Sequence, residues 1–353
     1  INQLFQRSNC PILLDSSELE YKICGALQQF CVSGLLKGDM GVCIYYFVSG
    51  RMRNDSHMTQ LGNASLKRIM SKMGQNKKLF IEDGVVGIAI GISFLLKYKY
   101  VEGDVNDVLQ DIDDYIYKGA CVVLENETAP DTKLPTLDIL IFYIVRYIDV
   151  KAPVRKRFYG KLIEHLFNYI YIHRQDSFYQ ESYPFSLKKD SYLFLCVLVW
   201  IYKIGIAQKR IGHILEEIKP FLFSCFPVLH ANRFQLMTVA RCVGKFVNDK
   251  EWVTFADRLA ENVDMNYILE KELADKNILP QTGVIGIWLL KEFNLWMGFV
   301  VRDSSYDFEK RVIESSIWDR IEKDAEFFSN YYSLDGYCGV RMFLDYLRQQ
   351  NEI

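Results

Sequence analysis

The sequence predicts an all-α chain folded as an α/α toroid, with seven inner helices jacketed by seven outer ones. Three observations carry that prediction. Strand signals are weak, whereas helix start and stop signals recur along the whole chain. The helical segments alternate between an amphipathic, charged kind and a shorter kind that is apolar almost all round. Four Gly-x-x-Gly pairs open apolar segments in phase, at Gly38 and Gly41, Gly84 and Gly87, Gly283 and Gly286, and Gly336 and Gly339. The first two pairs begin 46 residues apart and the last two 53 apart. The 199 residues from Gly84 to Gly283 divide into four steps of about 50, a period typical of repeat architectures. Seven such steps consume all 353 residues, so one domain over 1–353 is expected.

Taken in order, the predicted inner helices are 39–49, 84–98, 134–148, 190–204, 232–247, 283–293 and 336–349. The outer kind includes 104–126, with Asp104 as its N-cap, then 153–174, 207–226, 249–275 and 305–330. A helix that is apolar on every side has to be buried on every side, and an amphipathic one covers it from outside. Where seven helices converge, their first turns crowd one another, and glycines at i and i+3 clear one face. Such glycines cost roughly 1 kcal/mol each against alanine, so four pairs in phase call for a packing or ligand reason. The longest apolar run, Tyr192 to Tyr202, has 11 residues and is too short to span a bilayer.

Composition narrows the function. Half the residues are apolar and 14% are aromatic, enough for a large core. Net charge is -2 and no basic cluster is interleaved with aromatics, which argues against a nucleic-acid surface. Lys67, Arg68 and Lys72 read as a solvated helix face. The nine cysteines contain no C-x-x-C pair and mostly fall in apolar helical patterns, which suits a reducing cytoplasm.

In a toroid the inner helices all start at one end, and their unpaired N–H groups favour anions and peptide carbonyls there. The residues expected at that funnel are Asp39, Glu82, Asp83, Lys188, Lys189, Asp190, Asn232, Arg233, Gln281, Thr282 and Asp335. Helix capping is the competing role for Asp39, Asp83, Asp190 and Asp335. Two such acids, for example Asp83 and Asp335, could instead serve as acid and base on a glycoside. Phe178, Tyr179, Tyr183, Phe185, Tyr331, Tyr332 and Tyr337 could stack on a ligand or pack the core. A third reading is a structural partner module whose funnel is plugged by its own side chains. The histidines on outer segments, His57, His165, His173 and His213, read as surface residues.

The segments Asp83-Gly84-Val85-Val86-Gly87-Ile88-Ala89, Thr282-Gly283-Val284-Ile285-Gly286-Ile287 and Asp335-Gly336-Tyr337-Cys338-Gly339-Val340 resemble the inner-helix starts of the lanthionine synthetase C-like family. The resemblance implies the seven-plus-seven toroid. It also implies a zinc held by two cysteines and a histidine, which would keep a peptide cysteine as thiolate for thioether formation. The family's Cys-His-Gly element falls here on Gln281-Thr282-Gly283. Its Trp-Cys element falls on Leu229-His230-Ala231-Asn232-Arg233, and its remaining histidine on Lys188-Lys189-Asp190. No metal or other cofactor is therefore expected, and a trio of Cys225, His230 and Cys338 has no ligand spacing to commend it. The resemblance then implies a zinc-free, cytoplasmic pseudoenzyme that binds a peptide or protein, an accessory in maturation of a lanthipeptide-like product. No nucleic-acid partner and no membrane span are expected. The alternative is a glycan-active or other hydrolytic toroid using acids at the funnel.

Overall fold

Aspartates cap several of the amphipathic helices, whereas four of the helices expected to be inner start on backbone carbonyls of the preceding loop. This contrast organises the computed structural model, which describes residues 23, 34–125, 135–174, 178, 184–273, 277–301 and 306–351. All regular structure among the described residues is helical. Twelve of these helices are α1 (Asp39–Arg53), α2 (Ser56–Lys72), α3 (Val85–Lys97), α4 (Gln110–Glu125), α5 (Thr136–Asp149), α6 (Pro153–His173), α7 (Asp190–Lys203), α8 (Gln208–Phe223), α9 (His230–Val247), α10 (Lys250–Ala260), α11 (Val284–Trp296) and α12 (Tyr337–Asn351). Seven of them, α1, α3, α5, α7, α9, α11 and α12, overlap the spans expected to be inner, and α12 is amphipathic rather than apolar all round.

Packing follows chain order. Successive apolar helices touch from α1 through to α11, and α12 packs back on α1. Trp288 of α11 meets Phe343 of α12 edge to face, with ring centroids 4.9 Å apart. The amphipathic helices α2, α6, α8 and α10 lie on α1, α5, α7 and α9, while α4 bridges α3 and α5. The bidentate pair of Arg146 with Asp113 (2.9 and 2.7 Å) ties α5 to α4 from within, and the Tyr159 hydroxyl of α6 donates to the same carboxylate at 3.0 Å.

Three expected outer helices are broken, the first of them 104–126, which becomes Val105–Val108 and α4 with a break at Leu109. The span 249–275 becomes α10, a short turn Met265–Tyr267 and a π-helical segment Ile268–Glu272, and 305–330 becomes Phe308–Ile313, Ile317–Lys323 and Ala325–Asn330. In these last two the physical reason is capping competition. Asp264 and Asp324 accept from Tyr267 N–H and Phe327 N–H, and each restarts a helix where a continuous one was expected. Asp55, Asp104 and Asp249 cap their helices in the same way.

No side chain caps α1, α3, α5, α7 or α11. Four starts are instead capped by the chain's own preceding loop. Met40 N–H donates to Gly34 O (3.1 Å), Val85 to Lys78 O (2.8 Å), Val284 to Asn277 O (2.9 Å) and Tyr337 to Tyr331 O (2.6 Å). This corrects two expectations. Asp39 and Asp190 are first-turn residues and do not cap. The glycines, too, answer less to neighbouring helices than to this folded-back loop. A Cβ on Gly84 would lie 2.5 Å from Lys78 O, on Gly283 2.4 Å from Asn277 O, and on Gly336 1.8 Å from Tyr331 O. Gly41 and Gly87 also touch a neighbouring repeat, since their Cβ atoms would meet Ser333 Oγ at 2.2 Å and Leu35 N at 2.6 Å.

Candidate functional site

Loops that cap the inner helices also bond to one another, and this builds a platform at one end of the helices. Leu35 N–H donates to Ile81 O and Lys37 N–H to Glu82 O, both at 3.0 Å. Asp335 N–H donates to Leu36 O at 2.8 Å, and Leu187 N–H to Gln281 O at 2.9 Å. The Ser333 hydroxyl donates to Gly38 O at 2.7 Å. Because these amides and carbonyls satisfy each other, the bare funnel of free N–H groups expected from the sequence is not present at α1, α3, α11 and α12.

Charge takes its place. Glu82 accepts from Lys188 Nζ at 2.7 Å and pairs with Lys37 Nζ at 3.1 Å. Burial opposes the charge on Glu82, but the two ammonium groups outweigh it and hold the carboxyl below its ordinary range. Beside this chain, burial pushes Asp335 up to about 7, with Lys37 opposing and Glu82 adding to the shift. Gln281 N–H donates to the Asp335 carboxyl, and Asp335 Oδ1 is buried without a hydrogen-bond partner. Burial likewise raises Asp138 to about 6, although Ile81 N–H donates to its Oδ2 at 2.9 Å and Lys188 attracts it. Asp190 is exposed at the start of α7, within the field of Lys188 and Glu82.

The structure thus gathers Glu82, Lys188, Asp190, Gln281 and Asp335 from the expected set, Gln281 through its main chain. Other members go elsewhere. Asp39 is buried and faces Arg68 Nε at 3.6 Å, so Arg68 is not part of a purely solvated face. Asp83 pairs with Lys78 at 2.6 Å and does not cap. Lys189 lies over the Tyr192 ring, 4.2 Å from its centroid. Arg233 is buried and donates to the carbonyls of Pro227, Val228 and Asn262, where it fastens loops rather than facing a ligand. Thr282 Oγ1 accepts from Asn277 Nδ2 at 2.9 Å, and Asn232 is buried on α9.

Sequence reasoning missed Lys37 and Asp138. Lys37 immediately precedes the first glycine pair, and Asp138 stands in the first turn of the inner helix after the second pair, so the repeat phase was the signal for both. Among the aromatics, Phe185, Tyr332 and Tyr337 are core residues, and Phe178 packs edge to face on Phe194. Tyr331 lies tilted against Phe327 with centroids 4.7 Å apart. Tyr179 and Tyr183 lie outside the described residues.

The zinc that the resemblance implies does not fit these residues. Gln281 and Thr282, at two of the ligand positions, offer neither a thiolate nor an imidazole, and Thr282 Oγ1 is engaged by Asn277 Nδ2. Cys225 donates to Phe221 O, His230 Nδ1 accepts from Asp264 N–H, and Cys338 is fully buried. Among the described residues no group of three or more His, Cys, Asp or Glu side chains is placed to hold a metal ion. No described helix is long and apolar enough to cross a membrane. No protein-family model matches the chain, and no curated protein matches it.

Proposed function

We propose that this chain is a peptide- or protein-binding α/α toroid related in plan to the lanthionine synthetase C-like proteins, without their thioether chemistry. The succession of apolar helices, with α12 returning to α1, supports a seven-plus-seven ring. The observation that carries the binding reading is the Lys37–Glu82–Lys188 ion chain on a backbone platform, with the buried Asp335 carboxyl beside it. Alternating charge with a half-exposed rim suits the mixed polar and charged groups of a peptide better than a polyanion or an apolar surface. A cytoplasmic setting is supported by the free, buried thiols of Cys43, Cys242 and Cys338.

Fluorescence polarisation with a labelled pool of mixed-charge peptides tests this reading. Glu82→Gln and Lys188→Ala should each weaken binding about tenfold or more, as expected for losing one charge-assisted contact. Affinity unchanged in both variants, or stoichiometric zinc in the purified protein, would refute it. One observation favours a second reading, glycan hydrolysis. Burial raises Asp335 to about 7 while Glu82 is held below its ordinary range, a split typical of acid and base partners. Glu82 then replaces Asp83 in the pair, and failure of the wild-type protein to release reducing ends from any glycan in a panel removes this reading.

A further inference from the structure

At the other end of α9, about 16 Å along its axis from His230, stands a guanidinium whose charge is poorly matched. Arg241 is 7% exposed. Its Nη1 donates to Asn294 Oδ1 at 3.0 Å. Asn294, itself fully buried, is held by Thr238 Oγ1 at 2.7 Å and Leu290 O at 2.8 Å. Phe299 lies against the guanidinium, its ring centroid 4.9 Å from Cζ. Everything behind Arg241 is therefore neutral and fixed. Among the described residues, Nε is buried without a hydrogen-bond partner, and the nearest carboxylate, Asp257 Oδ1, stands 4.0 Å from Nη2. Burial accordingly lowers the pKa of Arg241 despite the attraction of Asp257. Burying a cation this incompletely paired is costly, and a ligand anion would relieve the cost.

In front of Arg241 lies a cleft of about 180 Å³ between α9, α10 and the segment 300–301. At about 30 Å³ per water it holds roughly six waters, the size of a small organic solute and much less than a peptide. Its walls are apolar, with Met237, Met265 and Val301 all buried. Its rim carries two exposed acids, Asp257 and Glu261. Those acids sit at the C-terminal end of α10, where the helix dipole also favours a cation. The cleft thus presents a buried cationic donor at its base, apolar walls and an anionic lip.

We infer that this cleft binds a free α-amino acid with an aliphatic side chain. The carboxylate docks on Nη2 of Arg241, the ammonium sits between Asp257 and Glu261, and the side chain lies against Met237, Met265 and Val301. A simple monocarboxylate would meet repulsion from the two rim acids, and a simple amine would leave Arg241 unsatisfied. Only a zwitterion matches both ends. The site is remote from the charged platform and does not depend on what that platform binds.

Calorimetric titration of the full chain with L-leucine, N-acetyl-L-leucine and 3-methylbutylamine tests the inference. Leucine should bind saturably at one site, and each analogue, lacking one of the two charges, should lose about tenfold or more in affinity. Arg241→Gln should abolish leucine binding. Asp257→Asn, at an exposed position that leaves folding intact, should weaken leucine while leaving the residual affinity for N-acetyl-L-leucine unchanged or improved. Absence of saturable leucine binding into the millimolar range would overturn the inference. So would equal affinity for leucine and its N-acetyl form, or an Asp257→Asn protein that binds leucine as the parent does.

Discussion

Asp335 stands among ionised groups yet keeps its proton to about pH 7 because burial outweighs the attraction of Lys37. Asp138 and Asp39 are each raised to about 6 by burial. An acid whose folded pKa exceeds its unfolded value, about 3.9, binds more proton in the native state across that interval. Its contribution is therefore favourable below about pH 4 and is lost as pH rises through the folded value. Stability should consequently fall between pH 4 and 7 at these three positions. Denaturant unfolding at pH 5 and at pH 8 should give a lower midpoint at pH 8, and Asp335→Asn should shrink the difference. A difference that is unchanged in the variant would show that Asp335 titrates normally. Legibility at this scale was partial. The sequence marked Glu82, Lys188 and Asp335 by their place before apolar helices. It could not show that Glu82 reaches Lys188 across 106 residues, or that Arg233 turns inward to loop carbonyls.

Glycine has opposite consequences in different elements. Gly84 faces Lys78 O at a distance no Cβ tolerates, whereas Gly212, inside α8, has nothing within 4 Å of its Cβ position. Gly84→Ala should destabilise by about 1–3 kcal/mol, the usual cost of overpacking. Gly212→Ala should stabilise by roughly 0.5–1 kcal/mol through helix propensity alone. Thermal or denaturant melts of the two variants check the contrast, and like effects of one sign would contradict the loop-capping account. The inner helices were legible because long apolar runs have few ways to be read, and their phase was marked by glycine. Spans 249–275 and 305–330 were not, because their period continued through Asp264 and Asp324. Each of these aspartates is a better helix starter than an interior residue, and caps outcompete a weak amphipathic pattern. The same chemistry made Asp104 easy to place, since it precedes its helix rather than interrupting it.

At the scale of the molecule, Arg53 and Asp345 join helices 292 residues apart through contacts of 2.6 to 3.0 Å, with the Asp345 side chain 4% exposed. Removing one partner of a largely buried pair leaves a charge uncompensated and costs up to about 3–5 kcal/mol, somewhat less here because Arg53 is partly solvated. Asp345→Ala should lower the unfolding midpoint and loosen α12 first, which hydrogen exchange in α12 would detect before exchange in α7. Uniform loss of protection across both helices would count against α12 as the detachable element. The repeat period foretold that the chain would return to its start, but not which side chains would clasp it there.

That return has a cost in time. Because α12 packs on one flank of α1, a chain emerging from the ribosome holds that apolar flank without its α12 partner until the residues of α12 have been made. Helices can stack locally as they appear, yet that flank stays sticky until α12 arrives, and pairing between distant segments is slow. A holdase that shelters unfinished chains should therefore raise the yield of this protein more than one that acts on the finished fold.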